Sequence, residues 1–215
     1  MIVINFLLNM GVMVMAVNLQ KGQKVNLMKD SGQTLGKVMI GLGWDPIQSS
    51  GSGGGFLSSL KKIIIGIDCD AAVLLCQNGK VEAKGDVVSF LNLKHSSGAV
   101  QHMGDNLTGE GDGDDEQIFV DLDKVPDRYD KLVFVVNVFG AKLKKQHFGM
   151  IKNAYIRIVD DNGKEFCRYE LSENYSGMTA MIFGEIYRHN DEWKFNAIGQ
   201  GTTDGDLNDV AKRYI

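Results

Sequence analysis

Short apolar runs rich in β-branched residues recur along most of this chain, and turn signals separate them. Asn78-Gly79 and Asp161-Asn162-Gly163 are typical of tight hairpin turns. Many short strands at this spacing are typical of a β-sandwich. We therefore predict an all-β fold, a sandwich of two sheets. The predicted strands are Lys37–Gly43, Ile63–Cys76, Val87–Leu91, Gln117–Leu122, Leu132–Phe139, Ala154–Val159, Glu165–Leu171, Thr179–His189 and Glu192–Ile198.

Helix signals are sparse, and the strongest one lies at the C-terminus. Asp206–Tyr214 combines apolar and charged residues in a pattern that suits a short helix. Asp204 or Asp206 can cap its first turn, because an aspartate side chain accepts hydrogen bonds from the unpaired N–H groups there. We expect one short C-terminal helix beside the sandwich.

The chain of 215 residues suits a single domain, which we place at residues 15–215. Residues 1–14 are apolar, but they lack the basic region of a signal peptide and are shorter than the about 20 apolar residues of a membrane span. We predict that this extension lies outside the folded unit and that translation starts further downstream; a true N-terminal anchor is the alternative. Residues 47–61 are rich in glycine and serine and are expected to form a flexible loop.

Negative charge is concentrated in one segment, Gly104–Glu116, where six of thirteen residues are acidic, four are glycine and none is basic. Glu110, Asp112, Asp114 and Glu116 alternate, so an extended backbone would direct their side chains to one side. Carboxylates at such distances repel each other, and a hard cation such as Ca²⁺, with six to eight oxygen ligands, would neutralise them. A solvated acidic loop is the alternative.

The rest of the protein is close to neutral, because the chain has 27 acidic and 23 basic residues and the segment holds six of the acids. This balance gives no basic footprint for nucleic acid. The three cysteines show no Cys-x-x-Cys spacing, which favours free thiols in a reducing cytoplasm. His102 lies two residues before the acidic segment, where we expect a hydrogen-bonding or surface role rather than metal binding.

Asp68 and Asp70 form a second acidic pair, two residues apart on a predicted strand. They therefore face the same side, roughly 7 Å apart at Cα. Two carboxylates on an otherwise apolar strand are costly unless they are paired or bound to a metal. They could complete a calcium shell with the acidic segment; a salt bridge or an exposed strand face is the alternative.

Several motifs together resemble the TerD family of tellurium-resistance and general stress proteins, from about Met15 to the C-terminus. The motifs are Gly41-Leu42-Gly43-Trp44-Asp45, Ile67-Asp68-Cys69-Asp70-Ala71, Gly104–Glu116, Phe183–His189, Glu192-Trp193-Lys194-Phe195 and Gly199-Gln200-Gly201. The resemblance implies a two-sheet β-sandwich that binds Ca²⁺, without established catalytic activity. It implies induction under chemical stress, and protein partners that include a family integral membrane protein at the inner membrane face. The chain departs from many members at Ala72, where they have a serine.

We expect a cytoplasmic calcium-binding module of the stress response, peripheral to the inner face of the membrane, with two neighbouring calcium ions. The expected ligands are Asp45, Asp68, Asp70, Asp105, Asn106, Glu110, Asp112, Asp114, Asp115 and Glu116. A metal-dependent hydrolase acting on a phosphate ester is the main competing function. A thiol-based oxyanion reductase is a third, which the unpaired cysteines and the lack of cofactor motifs disfavour.

Overall fold

The computed structural model describes residues 16–29, 31–47, 67–104 and 113–215. Within these ranges, twelve strands form two six-stranded sheets, which confirms the predicted two-sheet sandwich. The strands are β1 (Val17–Leu19), β2 (Lys24–Asn26), β3 (Lys37–Pro46), β4 (Cys69–Cys76), β5 (Val87–Ser89), β6 (Val100–His102), β7 (Glu116–Asp121), β8 (Lys131–Val138), β9 (Ile151–Asp160), β10 (Glu165–Glu170), β11 (Ala180–His189) and β12 (Glu192–Thr202). The α-helices are α1 (Ala141–Lys144) and α2 (Leu207–Ala211), and 3₁₀ turns occur at Lys84–Asp86, Leu122–Lys124, Phe148–Met150 and Lys212–Tyr214.

Sheet A has the strand order β1-β10-β9-β3-β7-β6, and sheet B has the order β2-β12-β11-β8-β4-β5. Neighbouring strands are antiparallel except β1 and β10, which run parallel. The hairpin turns are where the sequence predicts them, since Asn78 and Gly79 both have positive φ between β4 and the residues that follow, and Gly163 has φ 78° between β9 and β10. The fold is therefore a two-sheet antiparallel sandwich with one short parallel edge.

The main hydrophobic core lies between the sheets and includes Ile40, Val73, Phe134 and Ile156, all fully buried. The outer face of sheet B is also covered, because Val210 of α2 packs with residues of β4, β8 and β11. Every residue of β4 is consequently buried. Burial on both faces explains why the strand is a continuous apolar run from Ala71 to Cys76 rather than an alternating one.

The C-terminal helix is confirmed, although the α-helical part is shorter than the sequence predicts. It begins after Asp206, whose side chain accepts a hydrogen bond from the Asp209 amide at 2.9 Å. The helix passes into a 3₁₀ turn that ends at Tyr214. None of the described helices is long and apolar enough to cross a membrane.

All nine predicted strands have counterparts, with shifted ends. Strand β5 ends at Ser89, β9 begins earlier, at Ile151, and β12 continues to Thr202. Strand β4 begins at Cys69, and the predicted start at 63–66 lies outside the described residues. The predicted apolar extension at 1–14 and all but Ile47 of the predicted loop at 47–61 also lie outside them. Strands β1, β2 and β6 and helix α1 are additional to the predicted elements.

Candidate functional site

Asp68, Asp70 and the described residues 113–116 of the acidic segment lie at one end of the sandwich, which we call the acidic end. In sheet B, Cys69 at the start of β4 pairs with Val138 at the end of β8. In sheet A, Leu42 near the end of β3 pairs with Glu116 at the start of β7. The two sheet ends meet there, because the ring of His102, at the end of β6, lies 3.2 Å from the Ala71 carbonyl oxygen of β4.

The negative charges of four carboxylates, two from each sheet, act on the buried thiol of Cys69 at this end. Burial of Cys69, followed by the negative charges of Asp68, Asp70, Asp115 and Glu116, raises the pKa of its thiol well above the ordinary value. Asp70, Asp115 and Glu116 are themselves at most 9% exposed. The fold thus brings the Asp68–Asp70 pair and the end of the acidic segment together, although 45 positions separate Asp70 from Asp115 in the chain.

Asp115 is fixed by the backbone of β3. The Trp44 amide donates to its Oδ2 at 2.7 Å, and the Asp115 amide donates to the Leu42 carbonyl at 2.8 Å. Burial raises the pKa of Asp115, against the effect of the Trp44 hydrogen bond, and the charges of Asp45 and Asp114 raise it further. Negative charge is therefore crowded at this position, as it would be at a site that receives a cation.

His102 connects the acidic end of the sandwich across both sheets. Its Nδ1 accepts a hydrogen bond from the Gly104 amide at 3.1 Å, so the ring proton belongs on Nε2. Nε2 lies 3.2 Å from the Ala71 carbonyl oxygen and 3.4 Å from Oε2 of Glu116. The buried ring thus has the hydrogen-bonding role that the sequence favours, and it holds Glu116 beside β4.

Asp114 lies on the outer face of sheet A, whereas Glu116 lies on the inner face. Arg157 binds both Asp114 oxygens, at 2.7 and 2.9 Å, and the Tyr155 hydroxyl donates to Oδ1 at 3.0 Å. The carboxylate lies against Gly41, where a side chain would leave no room for it. This predicted metal ligand therefore has an arginine as its partner in the structure.

Of the other predicted ligands, one belongs to the described residues and four lie outside them. Asp45 is half-buried at the end of β3, and its Oδ2 accepts a hydrogen bond from the Asn153 amide group at 2.7 Å. The rest lie outside the described residues: Asp105, Asn106, Glu110 and Asp112. Within the described part of the chain, no group of three or more histidine, cysteine and acidic side chains is spaced to hold a metal ion.

The donor atoms at the acidic end are nevertheless of the kind that a hard cation prefers. The side chains that converge there are carboxylates, and oxygen is the ligand atom that Ca²⁺ takes. The one sulfur among them belongs to Cys69, which burial keeps protonated. The residues that are present fit calcium better than a thiophilic metal, which would require a thiolate.

The three cysteines are buried free thiols. Burial raises the pKa of Cys76 to about 12 and that of Cys167 to about 12, in the same direction as for Cys69. Thiolates are the reactive form of cysteine. Thiol-based reduction of an oxyanion is therefore disfavoured by the structure as well as by the sequence.

The structure contains a second buried polar cluster, which the sequence did not predict. The Tyr129 hydroxyl donates to Oδ1 of Asp86 at 2.6 Å, and Nε2 of His95 lies 3.2 Å from the Tyr129 oxygen. The Ser97 amide and hydroxyl both contact His95 Nδ1, at 3.2 and 2.7 Å. The members come from three separate loops, so no local motif marks them, and their internal hydrogen bonds join these loops.

Comparison with known proteins shows which family the chain belongs to. A family model described as TerD domain matches residues 15–214. The chain belongs to the TerD family. It is 53% identical over 206 residues to the stress response protein SCP2 of Bacillus subtilis (strain 168), an alignment that covers 94% of this chain and 100% of that protein. It is 46% identical over 202 residues to the tellurium resistance protein TerD of Serratia marcescens, with 93% and 97% covered.

A solved structure shares the fold at lower sequence identity. The crystal structure of a homologue of telluride resistance protein (TerD) from Streptomyces coelicolor A3(2) superposes with a TM-score of 0.59 at 18% identity. The match covers 82% of this chain and 95% of that one. The two-sheet sandwich is therefore the TerD fold.

Proposed function

We propose that this TerD-family protein binds calcium and acts in stress resistance as a binding module that catalyses no reaction. The observation that carries the proposal is the His102 bridge, whose Nε2 lies 3.4 Å from Glu116 of sheet A and 3.2 Å from the Ala71 carbonyl oxygen of sheet B, next to Asp70. The charges of Asp68, Asp70, Asp115 and Glu116 all act on the nearby Cys69 thiol. Like charges that act on one buried position raise each other's electrostatic energy, and a divalent cation bound among them would lower it.

The proposed ligands come from both acidic clusters. Asp68 and Asp70 contribute from sheet B, and Asp115 and Glu116 contribute from sheet A. Asp105, Asn106, Glu110 and Asp112 complete the set, with Asp45 at its edge, whereas Asp114 is engaged by Arg157 on the outer face of sheet A. Because a calcium ion takes six to eight oxygens, this pool suits two neighbouring ions. Calcium supplies positive charge between the sheets, and the carboxylates and the His102 bridge determine where it binds.

We propose that the bound form is the one that meets protein partners, including an integral membrane protein of the family on the cytoplasmic side. A calcium-filled acidic end has a definite geometry and a lower net charge. Without the ion, the six carboxylates of residues 105–116 repel each other, and the neighbouring glycines add to the entropy cost of ordering. Calcium occupancy would thus control whether a partner finds a fixed surface.

Calorimetric titration with calcium, and in parallel with magnesium, tests the proposal. The wild type should bind about two calcium ions and prefer them to magnesium. Asp68→Asn combined with Asp70→Asn should weaken calcium affinity roughly tenfold or more, because it removes two charged ligands from sheet B. Wild-type affinity and stoichiometry in this variant would show that the two acidic clusters do not share a site.

The matched control is Asp127→Asn combined with Asp191→Asn, two exposed carboxylates at the opposite end of the sandwich. It makes the same change in net charge and should leave the titration unchanged. Both proteins should also be assayed for turnover on phosphate esters with Mg²⁺ or Mn²⁺. Turnover that the Asp68 and Asp70 substitutions abolish would instead indicate a metal-dependent hydrolase.

A further inference from the structure

The connection between β8 and β9 displays basic and apolar side chains side by side. Lys142, Leu143, Lys144 and Lys145 are all exposed, and Leu143 is 91% exposed. We name these four residues the 142–145 knob. A single exposed leucine is common on protein surfaces, but one that lies between three lysines and near further exposed apolar side chains belongs to a patch that a partner surface could cover.

The backbone of the knob is held in place, because the residues on both sides of it are anchored in the sandwich. Ala141 and Phe148 are buried at 1% and 3% exposure. The Lys144 amide donates to the Gly140 carbonyl at 2.9 Å, and the Gln146 amide donates to the Ala141 carbonyl at 3.0 Å. Anchoring on both sides presents the four side chains to solvent in one arrangement.

Further apolar side chains lie at the same end of the sandwich. Phe139 is 50% exposed, and Nζ of Lys144 lies 5.2 Å from the centre of its ring. Ile47 and Met150, at 53% and 37% exposure, are adjacent because the Ile47 amide donates to the Met150 carbonyl. The Phe139 amide donates to the Asp68 carbonyl at 2.7 Å, which places this surface beside the acidic end.

Among the described residues, no carboxylate forms a salt bridge with Lys142, Lys144 or Lys145. Asp209, whose charge interacts with Lys142, is itself bound by Lys212 at 2.8 Å. Lys144 and Lys145 project from the same short turn. Exposed lysines that flank an exposed leucine and phenylalanine complement a surface that is anionic at its boundary and apolar beneath it.

We propose that the 142–145 knob docks the protein onto an anionic phospholipid surface. The lysines would lie among the anionic headgroups, with their alkyl stems along the boundary. Leu143 and Phe139 would enter the apolar layer beneath the headgroups. The proposal goes beyond calcium binding and does not depend on it, since the carrying residues lie outside the acidic clusters.

Sedimentation with vesicles tests the proposal on the full-length protein. The protein should bind vesicles of phosphatidylglycerol mixed with phosphatidylcholine and should not bind pure phosphatidylcholine. A lysine near an anionic surface contributes about fivefold in affinity, so Lys142→Gln, Lys144→Gln and Lys145→Gln together should cost roughly a hundredfold. Leu143→Ala should cost about tenfold, since it removes apolar groups that would enter the bilayer.

The matched charge control is the triple substitution Lys80→Gln, Lys84→Gln and Lys164→Gln, three exposed lysines at the opposite end of the sandwich. Ile215→Ala, at a C-terminal residue that is 71% exposed, is the matched apolar control. Both controls should bind vesicles as the wild type does. Circular dichroism and melting curves identify any variant that is misfolded, and the Leu143 and lysine variants test the surface independently.

Binding should be measured with calcium and with chelator. The proposal is supported if the protein binds anionic vesicles in either condition and the knob substitutions abolish this binding. The outcome of calcium titration on the same variants does not change that conclusion. Failure to bind anionic vesicles in both conditions overturns it, as does equal binding by the knob variants and the wild type. Binding to native membranes that protease treatment removes, without binding to pure lipid, would make the knob a protein-docking surface and also overturn it.

Discussion

At the scale of single residues, a glycine in β3 makes room for the side chain of Asp114. A β-carbon on Gly41 would meet all three carboxyl atoms of Asp114 within 2.4 Å, and Arg157 holds that carboxylate from the other side. The buried ion pair therefore requires the absence of a side chain in β3. Gly43 plays the same part for Tyr155, whose ring would contact an added β-carbon at 2.4 Å.

Gly41→Ala should accordingly destabilise the protein. The extra methyl group forces the Asp114 carboxylate away from Arg157, and overpacking of this kind costs about 1–3 kcal/mol in the free energy of unfolding. Urea denaturation measures the loss. Gly85→Ala is the control, because no atom lies within 4 Å of a β-carbon there, and it should change stability little. Equal stabilities for the two variants would contradict the packing argument.

At the scale of elements, helix α2 and the 3₁₀ turn after it cover the outer face of sheet B. Arg213, at the end of this segment, binds both oxygens of Asp204, and the Thr202 hydroxyl donates to Asp204 Oδ2 at 2.7 Å. Burial opposes ionisation of Asp204, but the hydrogen bonds from Arg213 and Thr202 outweigh it and lower the pKa of this carboxyl. The ion pair thus ties the C-terminal segment to the end of β12.

The Asp204–Arg213 pair should make a pH-dependent contribution to stability. Because the pKa is lower in the folded protein than in the unfolded chain, the contribution is present above the unfolded value of about 3.9 and is lost as the pH falls through the folded value. Arg213→Gln should lower the free energy of unfolding by about 0.5–1 kcal/mol at neutral pH, a small loss because Arg213 is partly exposed and screened.

Urea denaturation across pH 7 to pH 2 checks this, and the difference between the variant and the wild type should shrink toward zero at the acidic end. Lys164→Gln, at an exposed turn, removes the same charge and should produce no such dependence. A difference between Arg213→Gln and the wild type that is constant across this pH range would indicate that Arg213 acts through packing alone.

At the scale of the whole molecule, the two sheets of the sandwich are joined at the acidic end. Strand β4 of sheet B and strand β7 of sheet A each contribute carboxylates, and the His102 ring joins the two sheets beside them. An ion that binds between the sheets would therefore stabilise both of them.

Calcium should raise the melting temperature of the protein, and a chelator should reverse the rise. At a hundredfold excess over the dissociation constant, binding to the native state alone contributes about 2.7 kcal/mol per site. For a domain of this size, that is roughly 5–10 °C per site. Scanning calorimetry with and without calcium measures it, and identical melting curves would contradict a calcium site in the folded protein.

The sequence by itself determined the elements and the chemistry of this protein. Short apolar runs, Asn-Gly turns and the capping residue Asp206 are local signals, so they predicted the two-sheet sandwich and its C-terminal helix correctly. The concentration of carboxylates in 104–116 is also local, and it identified the acidic segment without any coordinates. Strands β1, β2 and β6 escaped prediction because each is three residues long and includes polar residues, so none of them forms an apolar run.

Only the tertiary structure decided which carboxylates meet. Strand order placed Asp70 of one sheet beside Asp115 and Glu116 of the other, a relation that no spacing along the chain encodes. It also turned Asp114 outward to Arg157, although Asp114 and Asp115 are neighbours in the same acidic run. The physical reason is that side-chain pattern acts over a few residues, whereas contact between sheets depends on topology and on the packing of the core between them.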